Sequence, residues 1–317
     1  MRVIYGKEHI RYDLTPAVLE LSWSSSRGQL AQTCDVRIEE PPPLQSAGFF
    51  MLFSGVELLE AQQFFHGPLV QMSRDDKTGD VTGTAYELGW YLQKNEVSRL
   101  KLNGDVGTEL GRIISASGIR FSCPPFGFSS KERLPAQSYA SLFTSLTEQA
   151  YEKTGVRYFV QYQRDKLTVV REGGNSVIPM FKASMLESSS TGESIEEVYT
   201  VVTVERYKDD QVASSVSKAN DSLIKTIGRM QKVIDAGEET NLSSLAAKQL
   251  SELSRIPRTR SITVRHDDGQ AARLRAGWMI KILEKDNRTI SDWIVTSCQA
   301  RWKGGWYTMD LQLERRT

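Results

Sequence analysis

The chain has 317 residues, with 40 Lys and Arg against 39 Asp and Glu and a formal net charge of +1. Its length suits two domains with room for a third small one, and 39% hydrophobic with 25% charged residues is the balance of a globular protein with sizeable cores. Such even charge excludes a dedicated nucleic-acid binder, and the longest uncharged stretch, the 16 residues Pro41 to Val56, is shorter than the about 20 apolar residues of a membrane-spanning helix.

The opening residues Met1 to Glu8 hold no apolar signal core. The first strand-like run is Val18–Trp23. Cys34-Asp35-Val36-Arg37-Ile38-Glu39 then alternates apolar and charged side chains, the two-residue period of a strand with one buried face. Phe49–Phe53 is a further apolar run, and Asp75 to Asp80 reads as a wide hairpin loop.

Three segments predict helices. Gly107 to Ser117 sets Leu110, Ile113 and Ile114 on one stripe before Gly118, and Ser138 to Lys153 does the same with Leu142, Phe143, Leu146 and Ala150 before Gly155. Strands follow at 156–162 and 167–171, joined by a turn at Gln163 to Lys166. Glu187 to Ser194 is small and polar and predicts a loop or linker. After a strand at Val198–Val204, the third helix spans Asn241 to Ser254 and stops before Pro257.

The C-terminal part predicts strands at Ser261–Arg265, Trp278–Leu283, Ile294–Trp302 and Met309–Glu314, with Gly304 and Gly305 in a tight hairpin turn. Alternation of this kind belongs to antiparallel sheets with one wet face. The reading is therefore mainly β with an α+β insertion: a first β domain at 1–96, a small α+β domain at 97–182, and a second β domain at 183–317 carrying helix 241–254. Residues 183–195 could return to the first domain. Charge is uneven at the end, with 12 acidic and 7 basic residues from Met185 to Ser254, then 13 basic and 7 acidic from Arg255 to Thr317. Solvated surface accounts for this, and complementary patches on neighbouring subunits are the sharper alternative.

No catalytic, cofactor-binding or metal-ligating set emerges. His9, His66 and His266 are scattered, and no HExxH, CxxC or CxxH spacing occurs. Three distant cysteines, Cys34, Cys123 and Cys298, predict reduced thiols and a cytoplasmic origin. The glycine-rich run from Gly104 to Gly111 lacks the order of a dinucleotide or phosphate loop, and no G-x-S-x-G elbow exists. Acidic pairs occur at Glu57/Glu60, Glu196/Glu197, Asp209/Asp210 and Asp267/Asp268. Glu196 and Glu197, placed on a strand, would point to opposite faces; the aspartate pairs fall in turns. The six tryptophans (Trp23, Trp90, Trp278, Trp293, Trp302, Trp306) predict core or subunit contacts ahead of a carbohydrate platform.

Several stretches together resemble the baseplate hub proteins of contractile phage tails, the late control protein D family, in particular the PBSX-type prophage hub. These are Gly83 to Asn95 with the helix at 107–119, the helix and hairpin of Ser138 to Val170, and the C-terminal series 226–235, 241–254, 258–264, 274–282 and 304–313. The resemblance runs from about residue 80 to the end; earlier residues match only in strand content. It implies two tube-like antiparallel β-barrel or sandwich domains, and a homotrimeric ring that connects a sixfold tail tube to a threefold central spike. It implies no enzyme and no cofactor. The implied partners are the tail tube protein, the central spike protein and other baseplate proteins, with the tape measure protein a further candidate. No nucleic-acid specificity is implied, though DNA can pass through the lumen, and no membrane. The place is a virion or tail particle assembled in a bacterial host cytoplasm. The alternatives are a tail-tip peptidoglycan hydrolase using carboxylates such as Glu57, Glu60, Glu196 and Asp267, or a hub or tube component of a related contractile injection system.

Overall fold

A computed structural model describes residues 1–39, 41, 44, 48–54, 63–163, 166–208, 211–236, 240–266 and 271–315. The fold is mainly β, as the alternating segments require. Its chief element is one 13-stranded sheet. From one end its path runs through Ser188–Glu193, Arg258–His266, Trp306–Arg315, Ile290–Lys303 and Val18–Ser26. It continues through Thr33–Ile38, Val81–Tyr86, Gln63–Arg74, Phe49–Phe53, Arg2–Lys7 and Ile10–Asp13. Two more strands, Met279–Leu283 and Met180–Lys182, branch from Ile290–Lys303.

The period-two pattern decides which side chains enter the core. Cys34, Val36 and Ile38 are buried while Asp35 and Arg37 are exposed, and Met309, Leu311 and Leu313 are buried while Asp310 and Gln312 are exposed. In the hairpin between the last two strands, Gly304 and Gly305 hold φ of 57° and 86°, which a tight turn needs and a side chain resists.

Two long strands each serve more than one neighbour. Gln63–Arg74 pairs first with Phe49–Phe53 and then with Val81–Tyr86, with an irregularity between Leu69 and Gln71. Ile290–Lys303 pairs along one edge with Trp306–Arg315, with an irregularity between Val295 and Ser297; along the other it pairs first with Met279–Leu283 and then with Val18–Ser26. An extra residue bends a strand and lets it pass from one ladder to another. Gly67 pairs with Phe50 in the ladder to Phe49–Phe53, and a Cβ there would sit 1.7 Å from the Tyr86 carbonyl oxygen, so no larger residue fits.

The compact units are cut differently from the sequence-based domains 1–96, 97–182 and 183–317. One unit comprises Met1–Ser190 with Arg260–Thr317, the other Thr191–Thr259. The reason is the ladder that pairs Leu21 to Ser26 with Ser297 to Trp302 and joins the N-terminal strands to the C-terminal ones. Alternation fixes the buried face of a strand but carries no information about its partner.

Within the first unit, residues from the insertion build a second core. Helices Val106–Ser115 and Tyr139–Thr154 pack with the strands Phe121–Ser122, Lys166–Arg171 and Tyr158–Gln163, and Leu30 and Leu92 join them. Ser138 accepts the Ser141 N–H at 3.0 Å to start the longer helix, and Gly155 ends it with φ of 72°. The turn expected at Gln163 to Lys166 includes positions outside the described residues.

The unit Thr191–Thr259 is a three-stranded sheet in the order Gln211–Ala219, Val201–Lys208, Gln231–Asp235, with helix Leu242–Leu253 packed on the first two strands. Val202, Val204, Ala236, Leu242 and Ala246 form its core. Asn241 caps the helix by accepting the Ser244 N–H at 3.0 Å.

Two departures concern single elements. Ser188–Glu193, expected as a linker, is a strand whose six residues are all exposed. It is held by its ladder to Arg258–His266 and by a 2.9 Å hydrogen bond from the Ser188 hydroxyl to that of Thr263. The short helices Trp90–Lys94 and Asp221–Ile227 were not expected, being too brief to display a helical period.

Candidate functional site

The residues with reactive potential are dispersed or occupied. His66 shares a 3.1 Å hydrogen bond between Nδ1 and the Tyr162 hydroxyl and packs at a tilt against Phe49, as a packed histidine does. Glu196 and Glu197 lie exposed in a turn before the strand that begins at Val201, so the strand expected to start at Val198 starts later. Glu57, Glu60, Asp209, Asp210, Asp267 and Asp268 fall outside the described residues. Among the described residues no three His, Cys, Asp or Glu side chains gather in a way that could hold a metal ion. No described helix is long and apolar enough to cross a membrane.

Burial governs the thiols. It pushes Cys298 up to about 12, with Asp310 adding to the effect and Arg275 opposing it. It pushes Cys123 up to about 12 with help from Asp105, and it raises Cys34 further still. At neutral pH all three are protonated and therefore poor nucleophiles.

The glycine-rich run is closed to phosphate. Burial of the Asp105 carboxyl would raise its pKa, but backbone N–H groups of Thr108, Phe126 and Gly127 donate to it at 3.0, 3.1 and 2.9 Å and hold it below the ordinary aspartate range. Asp105 is the N-cap of helix Val106–Ser115, so a fixed negative charge stands where an anion would have to sit.

The tryptophans form no platform. Trp23 and Trp293 are core residues whose indoles donate to the Ala272 carbonyl at 3.2 Å and the Ser291 hydroxyl at 2.7 Å. Trp278 donates to Gln161 at 3.1 Å, tying the insertion to the sheet. Trp306 is exposed, with the Arg265 guanidinium 4.8 Å from its ring centre.

Two buried ionic groups carry no signal in sequence periodicity. Glu87 and Arg275, both almost fully buried, pair at 2.7 Å across a separation of 188 positions. Arg260 donates to both Glu284 carboxylate oxygens at 2.9 and 3.1 Å and to the Ser189 hydroxyl at 2.9 Å, beside the ring of Trp293. Such groups fix one arrangement of strands, since a lone buried charge costs several kcal/mol.

What the surface does offer is strand edge. Among the described residues the sheet path ends at Ser188–Glu193 and at Ile10–Asp13, each with one neighbour, and Met180–Lys182 pairs with Met279–Leu283 alone. Near these ends Ile10, Val177, Met180 and Ile290 are exposed. Lys182, Leu283 and Ile290 stand in one cross-strand row, so the apolar surface at this corner is shared by three strands. Uncovered edges and apolar corners are the features by which sheets join other sheets.

A family model described as YQBQ-like matches residues 21–314. No curated protein matches the chain by sequence. Among solved structures, a tail protein from Neisseria meningitidis MC58 is similar with a TM-score of 0.71 and 13% identity, over 99% of this chain and 96% of that one. The 43 kDa tail protein of prophage MuSo2 from Shewanella oneidensis gives 0.71 and 9% identity over 99% and 98%. The E. coli protein c3393, described as a component of the type VI secretion system with structural similarity to the T4 tail proteins gp27 and gp5, gives 0.53 and 9% over 95% and 74%. At these identities the likeness is one of fold.

Proposed function

The chain belongs to the YQBQ-like family, and from that premise we propose that it is a structural protein of a contractile phage tail or tail-like particle, acting there as the baseplate hub. The observation that carries this reading is that the whole chain shares its fold with whole tail proteins, over 99% of its length and 96–98% of theirs. The described titratable groups are buried, paired or dispersed.

The physical logic of the hub is edge completion. The sheet ends in strands with one neighbour each, and three copies arranged around an axis would pair or cover those edges in a closed ring. Two β regions per chain then present six similar units to a sixfold tail tube and three chains to a central spike. On this reading the partners are two further copies, the tube, the spike and neighbouring baseplate proteins, in a virion or tail particle built inside the bacterial host.

The test is the copy number of the chain in its particle, by mass measurement of the dissociated tail tip and by imaging of the ring. Three copies per ring support the hub, and six copies favour a tube component. A chain absent from tail particles and strictly monomeric would refute it.

A further inference from the structure

A cavity of about 360 Å³ lies in the first unit, beside the longer helix of the insertion and the loop that follows strand Val18–Ser26. That size is within the range of ligand-binding clefts. Four consecutive residues, Arg157 to Val160, line it. Because successive side chains of a strand point to opposite faces, a space bordered by Tyr158, Phe159 and Val160 alike lies along the edge of strand Tyr158–Gln163. Among the described residues Tyr158–Gln163 is indeed the edge strand of its three-stranded sheet, paired with Lys166–Arg171 alone.

The register states which backbone groups look into the cavity. The Glu172 N–H donates to the Arg157 carbonyl at 2.9 Å, and the ladder continues with Phe159 opposite Val170. In an antiparallel pair alternate residues bond inward, so the N–H and C=O of Tyr158 and Val160 point outward to the open edge.

A second observation is independent of the strand. Gln32 lines the same cavity and is 4% exposed, yet its Oε1 is buried without a hydrogen-bond partner. A buried acceptor in this state needs a donor. The deep wall is otherwise neutral, since Glu87 and Arg275 cancel each other there. The charge lies on the rim. Glu148 and Glu152, one helical turn apart, have no cationic partner, whereas the one unpaired cation of the lining, Arg157, rests on the ring of Tyr151 at 3.7 Å.

We propose that this cavity is a peptide-binding cleft, in which an extended segment of a partner polypeptide adds a strand to the edge of Tyr158–Val160 and places a lysine or arginine beside Glu148 and Glu152. Strand addition supplies affinity through the main chain, and the acidic rim supplies preference for a basic side chain. A donor from the incoming segment also satisfies Gln32. The inference goes beyond the hub reading and does not depend on it.

The test uses the full chain and three fluorescein-labelled octapeptides: alternating valine and lysine, alternating valine and glutamate, and the lysine peptide with its backbone N-methylated. Anisotropy gives affinity, and amide hydrogen exchange gives location. The lysine peptide should bind at least about tenfold more tightly than either of the others and slow exchange at Tyr158 and Val160. Glu148→Gln with Glu152→Gln, both at exposed positions, should erase the preference for lysine while leaving thermal stability unchanged. No binding by the lysine peptide, equal binding of the N-methylated one, or binding that leaves Tyr158 and Val160 exchanging at their free rate would each overturn the proposal.

Discussion

The two compact units reach their cores by opposite routes. In the first, the main core joins residues from the two ends of the chain. Trp23 meets the ring of Tyr307 at 6.3 Å, and its ladder partners include both Cys34 and Ala300. In Thr191–Thr259 the core lies between Val202 and Ala246 and is small, with five buried apolar residues among those described. A core assembled from distant segments orders slowly and gives way as a whole, whereas a small local one forms early and opens at lower cost. The cysteines make this contrast measurable. Cys34 and Cys298, both buried, and Cys123, half-buried, all belong to the first unit, so thiol labelling, of Cys34 and Cys298 above all, reports its opening and is blind to that of the second.

The largest effect should come from Leu311→Asp, which places an unpaired carboxylate at a position with 0% exposure in the main sheet. Its cost of more than about 4 kcal/mol should abolish cooperative unfolding and expose all three thiols together. Folded protein with protected thiols would show that this strand does not hold the unit together.

Breaking the Glu87–Arg275 pair comes next. Glu87→Gln leaves a buried guanidinium without its counter-charge and should cost about 3–5 kcal/mol by urea titration. Glu87→Leu combined with Arg275→Met should recover most of that loss, because two apolar residues leave no charge stranded.

Leu242→Ala then addresses the small unit alone. About 2–3 kcal/mol of lost burial should speed hydrogen exchange along Val201–Lys208 while Val18–Ser26 and the thiols stay protected. Simultaneous loss of protection in both units would erase the distinction between them.

The smallest effect belongs to Arg258→Ala. Its 2.8 Å pair with Glu193 is more than half exposed on both sides, so removal should cost less than about 1 kcal/mol in a thermal melt, and less again in high salt.

Much of this architecture was legible in the sequence, for reasons that particular residues display. Met309, Leu311 and Leu313 announce both their strand and its buried face, and the strand observed is Trp306–Arg315. The helix beginning after Ser138 and ending at Gly155 carries its boundaries in its capping residues. Ser188–Glu193 was misread because its side chains bury nothing; the ladder that holds it is a property of Arg258–His266, some 70 positions later. The compact units follow other limits than the sequence-based ranges for the same reason, since no local pattern says that Leu21 will face Trp302.

The candidate cleft was not legible at all. Gln32 sits in an unremarked loop, and Tyr158 becomes an edge residue only because nothing pairs beyond it in its sheet. Glu87 and Arg275 fall within Gly83 to Asn95 and residues 274–282, stretches far apart in the chain. That they meet is a fact of three dimensions.

The stem formed by Ser188–Glu193 and Arg258–His266 has a consequence for how such a protein can be remodelled. Ser188 is opposite Thr263 and Glu193 is opposite Arg258, so the two strands run antiparallel and the chain departs and comes back a few ångströms apart. The segment between Glu193 and Arg258 therefore leaves the large sheet and rejoins it through one pair of adjacent strands, so a change in its length need not disturb the other ladders of that sheet.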